Sequence, residues 1–180
     1  MLFRSRTVFD VRHAVAVARY LLGFVFVWAF ADKLFGLGYS TTSGRSWING
    51  GSPSNGFLSH VEVGPFQGLF RAIAGNFFVD ALFMVGLLGI GVALMAGVAL
   101  RLAAVSGSAM MLLMWAAEWP LARHDSTGEL TSSVNPFVDY HLVYAIAMIV
   151  IALTAGAGVT WGLSNRWRQV PIVAEHPVLW

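Results

Sequence analysis

The chain contains no cysteine. No disulfide, thiolate metal site or cysteine nucleophile can be built from it, and a four-helix quinone reductase working through a CxxC pair is excluded. Charge is scarce as well. Asp, Glu, Lys and Arg make up 11% of the 180 residues, against about 25% in a soluble domain. Lysine is nearly absent, since Lys33 stands alone beside ten arginines; that bias fits a GC-rich bacterial genome.

What is present is apolar: 57% of the residues are hydrophobic. They collect in four stretches, Ala14–Phe35, Phe77–Val98, Leu102–Trp119 and Phe137–Val159, of 18 to 23 residues each. A helix of that length crosses a bilayer core of about 30 Å. Arg4, Arg6 and Arg12, ahead of an apolar run ending in Ala29-Phe30-Ala31, have the outline of a signal peptide. The segment is read instead as a true transmembrane helix. The expected fold is therefore all-α: a polytopic membrane four-helix bundle over residues 1–163, followed by a tail over 164–180.

Four crossings bring both termini to one face, and the charges orient it. That face holds Arg4, Arg6, Arg12, Arg19, Arg101, Arg166 and Arg168; the other holds Lys33, Arg45, Arg71 and Arg123. Seven basic residues against four make the first face cytoplasmic, so both termini and the 164–180 tail are expected inside, in a bacterial plasma membrane. The net charge of +2 averages these two ends, and nothing in it supports a nucleic-acid partner. Membrane lipid is the implied partner.

The outer loop, residues 39–76, is long. Its first half is rich in Gly, Ser, Thr and Asn, which predicts irregular backbone. In Gly64–Ala74, Phe66, Leu69, Phe70 and Ile73 recur at helical spacing, which predicts an amphipathic helix in the interface. Gly89, Ala93 and Gly97, facing Ala103 and Gly107, predict close packing of the second and third membrane helices. Asn135-Pro136 predicts the start of the fourth, with Asn as cap and Pro at the first helical position.

The candidate site lies at the outer helix ends. Asp32 and Lys33 close the first helix, Asp80 opens the second, Glu118 closes the third, and Asp139 and His141 open the fourth. Ionisable groups at membrane depth are costly and suggest function. Asp32, Asp80 and Glu118 are expected to approach one another. Asp80 and Asp139 could equally serve as helix caps, at dipole ends that favour a negative charge. Glu118 stands at the opposite kind of end, beside Met114 and Trp115, which suits it to passing protons. Asp139 and His141 lie about 200° apart on one helix, so only one of them should face the bundle centre. Lys33, Arg45 and Arg71 are candidate anion-binding residues. Trp28, Trp115 and Trp119 could wall a flat slot for a quinone ring, or simply form an interfacial belt. Nothing in the five histidines gives a bis-histidine spacing, and the methionines read as core filler, so no haem or metal is expected.

Several runs resemble one family. Ala18-Arg19-Tyr20-Leu21-Leu22-Gly23, followed by Asp32-Lys33-Leu34-Phe35-Gly36, is similar to the first helix of DoxX/DoxD membrane proteins. The turn Gly97-Val98-Ala99-Leu100-Arg101-Leu102-Ala103-Ala104 and the run Asn135-Pro136-Phe137-Val138-Asp139-Tyr140-His141-Leu142 resemble later parts of that family. So does the exit Ala155-Gly156-Ala157-Gly158-Val159-Thr160-Trp161-Gly162-Leu163. Ser52-Pro53-Ser54-Asn55-Gly56-Phe57-Leu58 is similar to the outer loop of the DoxD branch. The resemblance implies a four-helix membrane subunit of a thiosulfate:quinone oxidoreductase, passing electrons from thiosulfate to a membrane quinone with a second subunit or a homo-oligomeric partner. It also implies an alternative, a non-catalytic scaffold or accessory subunit holding soluble redox proteins together.

Overall fold

The computed structural model describes residues 10–131, 133–154 and 156–180. Arg4 and Arg6 of the orientation argument, and Ala155 of the resemblance, lie outside the described residues. Among those described there are helices and no strand; one isolated bridge joins His124 to Leu130. The order is α1 (Val11–Phe35), two 3-10 turns (Ser43–Arg45 and Trp47–Asn49), α2 (Asn55–Leu58), α3 (Gln67–Ile73), α4 (Phe77–Ala96) and α5 (Leu100–Glu118). Then follow α6 (Tyr140–Leu153), α7 (Ser164–Trp167), α8 (Pro171–Glu175) and a last 3-10 turn (Pro177–Leu179).

Three of these helices, α1, α4 and α5, are long and apolar enough to cross a membrane, at 25, 20 and 19 residues. They make this a membrane protein. Their ends follow from local chemistry. Asp10 caps α1 and Asn76 caps α4 by accepting backbone N–H groups, and Gly36 and Gly97 end the same helices in the left-handed conformation.

The fourth apolar helix, α6, has 14 residues, about 21 Å at 1.5 Å per residue, and is shorter than the expected 137–159. The Asn135 carboxamide does accept the N–H groups of Phe137 and Val138, at 2.9 and 3.0 Å. That turn does not propagate, because Asp139 is extended (φ −114°, ψ −175°) and caps a fresh start at Tyr140. At the far end Thr154 leaves the helical region, and its hydroxyl donates back to the Val150 carbonyl at 2.7 Å.

The helices pair as α1 with α4 and α5 with α6, with α4 against α5 between them. Gly23 and Gly91 set the first contact: a Cβ on either would lie 2.9 Å from the carbonyl oxygen of the other. On the second, Gly107 makes room for Met148. The expected Gly89–Ala93–Gly97 stripe does not seat the second membrane helix on the third. Gly89 faces open space, and Gly97 is the left-handed cap of α4 (φ 69°). The core is filled by Phe26, Met84, Leu87, Ile90, Leu94, Met111 and Met148, so the methionines act as filler. Leu21, Phe24, Leu82, Val85, Val105, Leu113 and Ile146 point outward and are compatible with lipid contact.

A second, smaller core joins the long loop to the helix ends: Leu58, Val61, Phe70 and Ala117 are buried together, with Ile73 and Val79 against them. Phe70 and Ile73 thus turn toward protein, whereas Phe66 and Leu69 of the same segment stay exposed. Gly64 (φ 95°) lets the loop backbone lie on the Trp119 ring, where a Cβ would come within 2.9 Å of it. At the other end, residues 164–180 are folded. Val173 is buried, the Trp167 and Trp180 indoles donate to the Leu179 and Val173 carbonyls, and Arg101 donates to the Pro177 carbonyl.

Candidate functional site

At the end of the bundle formed by the α5 C-terminus and the α6 N-terminus, four side chains form one connected group. Asp139, as the α6 cap, accepts from the Leu142 N–H through Oδ1 and meets His141 Nδ1 with Oδ2 at 2.7 Å. Glu118, the last residue of α5, has Oε2 3.8 Å from the same Nδ1. The Tyr140 hydroxyl donates to Glu118 Oε1 at 3.0 Å, and its ring lies 4.0 Å from the His141 ring. Burial falls outward along this group, with side-chain exposures of 1% for His141, 11% for Asp139 and 36% for Glu118.

Asp139 and His141 therefore act together, against the expectation that only one could face the centre. The 200° separation assumes that both are helical. Asp139 is extended, so its carboxylate folds back over the first turn and reaches the imidazole. Tyr140, which sequence reasoning left out of the site, joins it because Glu118 arrives from the neighbouring helix.

Asp32 and Asp80 are used elsewhere. Asp32 is buried and accepts from the Tyr39 N–H at 3.2 Å, the Ser40 N–H at 2.9 Å and the Ser40 hydroxyl at 2.6 Å. Asp80 is buried and accepts from the Ser54 N–H at 2.8 Å. Each carboxylate pins one part of the 36–76 loop to a helix end. The expected common site of Asp32, Asp80 and Glu118 thus divides, in its hydrogen bonding, into two loop anchors and the Glu118 group.

The candidate anion-binding residues are dispersed in role. Lys33 Nζ donates to the Ser40 hydroxyl at 3.4 Å, Arg45 Nε donates to the Thr42 hydroxyl at 3.3 Å, and Arg71 is exposed on α3. Of the candidate quinone-binding tryptophans, Trp115 and Trp119 adjoin the site with ring centroids 5.7 Å apart, and the Trp115 indole donates to the Phe137 carbonyl at 3.2 Å. Trp28 packs on Phe24 and Tyr39 instead.

By spacing, Glu118, Asp139 and His141 could also hold a metal ion, since one donor atom from each lies within 4.8 Å of the others. One imidazole and two carboxylates form a donor set that suits manganese, iron or zinc. The sequence reading expected no metal here.

Two groups away from this site complete the picture. Arg19 is fully buried. Its guanidinium donates to the Leu94 and Met95 carbonyls at the end of α4 and to the Thr160 and Trp161 carbonyls beyond α6. Counting it among the face-setting charges missed this; the available signal was an arginine two turns inside an apolar helix. In the 119–139 connection, the Thr127 hydroxyl, followed by the N–H groups of Thr127, Glu129 and Gly128, holds the Asp125 carboxyl below the ordinary aspartate range.

Compared with protein-family models, curated proteins and solved structures, the chain matches none of them.

Proposed function

We propose that the chain is the membrane subunit of a quinone-linked oxidoreductase of the DoxD kind, passing electrons from thiosulfate or a related sulfur anion to a membrane quinone. In this reading α1, α4, α5 and α6 are four crossings, with the turns flanking α6 completing its span. Both ends of the chain are cytoplasmic, and the 36–76 loop covers the outer end of the bundle. One observation carries the reading. A hydrogen-bonded His141–Asp139 pair sealed in the bundle lies 3.8 Å from the Glu118 carboxylate, which is about one-third exposed at the edge and hydrogen-bonded to Tyr140. Reduction of a quinone consumes two protons, and a buried histidine joined to an edge carboxylate is suited to delivering them. The motif resemblance supplies the substrate class.

The test is thiosulfate-dependent quinone reduction by the purified protein in lipid nanodiscs, with candidate partner subunits added. Glu118→Gln keeps the shape and the Tyr140 contact but cannot carry the proton, so turnover should fall about a hundredfold, within the range of a lost acid–base group. Wild-type turnover in Glu118→Gln removes Glu118 from the reaction. No turnover in wild type with any partner favours the second reading, a scaffold or accessory subunit. The engagement of Asp32 and Asp80 in holding the loop favours that reading, because it assigns two of the acids to structure.

A further inference from the structure

The tail, residues 164–180, folds against the start of α5, at the end of that helix opposite Glu118. The Arg101 N–H meets the main-chain oxygen of Trp180 at 3.4 Å, and the Arg101 guanidinium donates to the Pro177 carbonyl at 3.0 Å. The Trp167 indole donates to the Leu179 carbonyl, so α7 lies against the same turn, and the Arg168 guanidinium sits 5.0 Å from the Trp180 ring centroid. Arg101 and Arg168 thus both meet Trp180, and Arg166 stands exposed one residue before Trp167. Among the described residues none of these three arginines forms an ion pair. Glu175 is the one carboxylate side chain between residues 156 and 180.

The same segment leaves apolar side chains uncovered. α8 buries Val173, while Ile172 beside it and Val178 in the following turn are each 62% exposed. Arg101 fixes the height of this surface. It is the second residue of α5, and Leu102 and Val105, just beyond it, are among the outward-facing apolar side chains of that helix. The tail therefore sits where the apolar outer surface of α5 begins. Exposed apolar groups, indoles and unpaired arginines at that height are the components of a surface made for the headgroup region of a bilayer.

We propose that residues 164–180, with Arg101, form a docking surface for anionic phospholipid, in which Ile172 and Val178 enter the acyl boundary and Arg101, Arg166 and Arg168 meet lipid phosphates. The surface is independent of the quinone-linked reading and serves an enzyme subunit and a scaffold equally. Charge complementarity selects the occupant. Guanidinium groups without carboxylates attract phosphate, which their forked N–H donors match. Each arginine near an anionic membrane surface strengthens attachment about fivefold. An acidic soluble protein would satisfy the arginines but leave Ile172 and Val178 without an apolar partner at the height where the outer surface of α5 turns apolar.

Two measurements test this, both on the full chain in nanodiscs of mixed phosphatidylglycerol and phosphatidylcholine. The first places a nitroxide on Ile172→Cys or Val178→Cys, in a chain with no other cysteine, and compares its collisions with oxygen and with a water-soluble nickel chelate. Both nitroxides are expected in the interface, shallower than one on the lipid-facing Leu113→Cys. Full exposure to the chelate at both positions, as for a tail in water or one awaiting a soluble partner, overturns the proposal. The second counts the lipids retained by protein released intact into a mass spectrometer. Phosphatidylglycerol should be retained over phosphatidylcholine, and Arg166→Gln should lower that preference about fivefold. The Arg166 side chain has no hydrogen-bond partner among the described residues, so this variant should keep the tail folded, checked by slow exchange of the Val173 amide, which donates to the Val170 carbonyl. Equal retention of the two lipids, or an unchanged preference in a folded Arg166→Gln, overturns the proposal. A variant that unfolds leaves the decision to the nitroxide depths, which are read with every arginine in place.

Discussion

Arg19 carries a positive charge in a sealed position, and what compensates it is backbone. Its two terminal nitrogens meet four carbonyls, at the end of α4 and beyond α6, and its charge lies over the Tyr20 ring at 4.7 Å. The carbonyls near the end of a helix carry partial negative charge, so one guanidinium ties three segments together without a carboxylate. Arg19→Met should strand those carbonyls and lower stability by about 3 kcal/mol or more, read as the thermal midpoint in detergent; Arg19→Lys should recover only part, because an ammonium lacks the fork that spans both ends. At Asp125 the same kind of accounting gives a pH dependence. Its carboxyl is held low by the Thr127 hydroxyl and by backbone N–H groups. A lowered value means the turn is stabilised above the ordinary aspartate range and loses that support as pH falls through the folded value. Carbonyl NMR titration should find Asp125 below ordinary aspartates, and Thr127→Val should move it back up.

Among the elements, the contrast between Gly89 and Gly91 shows how α4 is seated. The two residues have the same sequence character and lie on different faces. A Cβ at position 91 would press on the Gly23 carbonyl at 2.9 Å, while a Cβ at position 89 would meet nothing within 4 Å. Gly91→Ala should therefore cost about 1–3 kcal/mol by separating α1 from α4, and Gly89→Ala should stabilise by about 0.5–1 kcal/mol through helix propensity alone. Paired unfolding curves check both, and equal shifts would show that the close α1–α4 contact is not what the glycine serves. The α6 start follows a similar logic. A local turn at Asn135 competes with the cap at Asp139, and the second prevails because its carboxylate satisfies both a backbone N–H and a buried imidazole.

For the whole molecule, the absence of cysteine becomes an experimental advantage, since any single cysteine introduced is the only one present. Cysteines at Ser40 and Ser126, in the loops at the candidate-site end, should react with an impermeant thiol reagent from one side of sealed vesicles. Cysteines at Gln169 and Ser106, toward the opposite end, should be protected from that side, the first reacting only when the vesicles are opened and the second shielded by lipid. Labelling of Ser40 and Gln169 from the same side would overturn the proposed four-crossing topology. The outward-facing apolar side chains from α1, α4, α5 and α6 already require a nonaqueous surround, because a soluble molecule could not leave so many large hydrophobic groups uncovered.

Some of this was determined by the sequence alone. Long apolar runs and few charges specify helices in a membrane, because backbone groups in lipid must be satisfied within the segment. The Asn76 cap is a local signal, legible because its partners lie within a turn, whereas Gly97, read as a packing residue, instead ends α4. The clustering of Glu118, Asp139 and His141 at one end was legible in outline, since alternating helix direction fixes which ends meet. What only the tertiary structure decided depends on angles and on partners far apart in the chain. Whether Asp139 is helical or extended determines whether it reaches His141, and its ψ of −175°, against about −42° in a helix, makes that difference. Asp32 and Asp80 look like site acids until the loop folds back onto them, and Arg19 looks like a surface charge until distant carbonyls arrive around it. Hydropathy records how much of each segment avoids water, but hydrogen-bond geometry across helices decides which polar group is an anchor and which joins the candidate site.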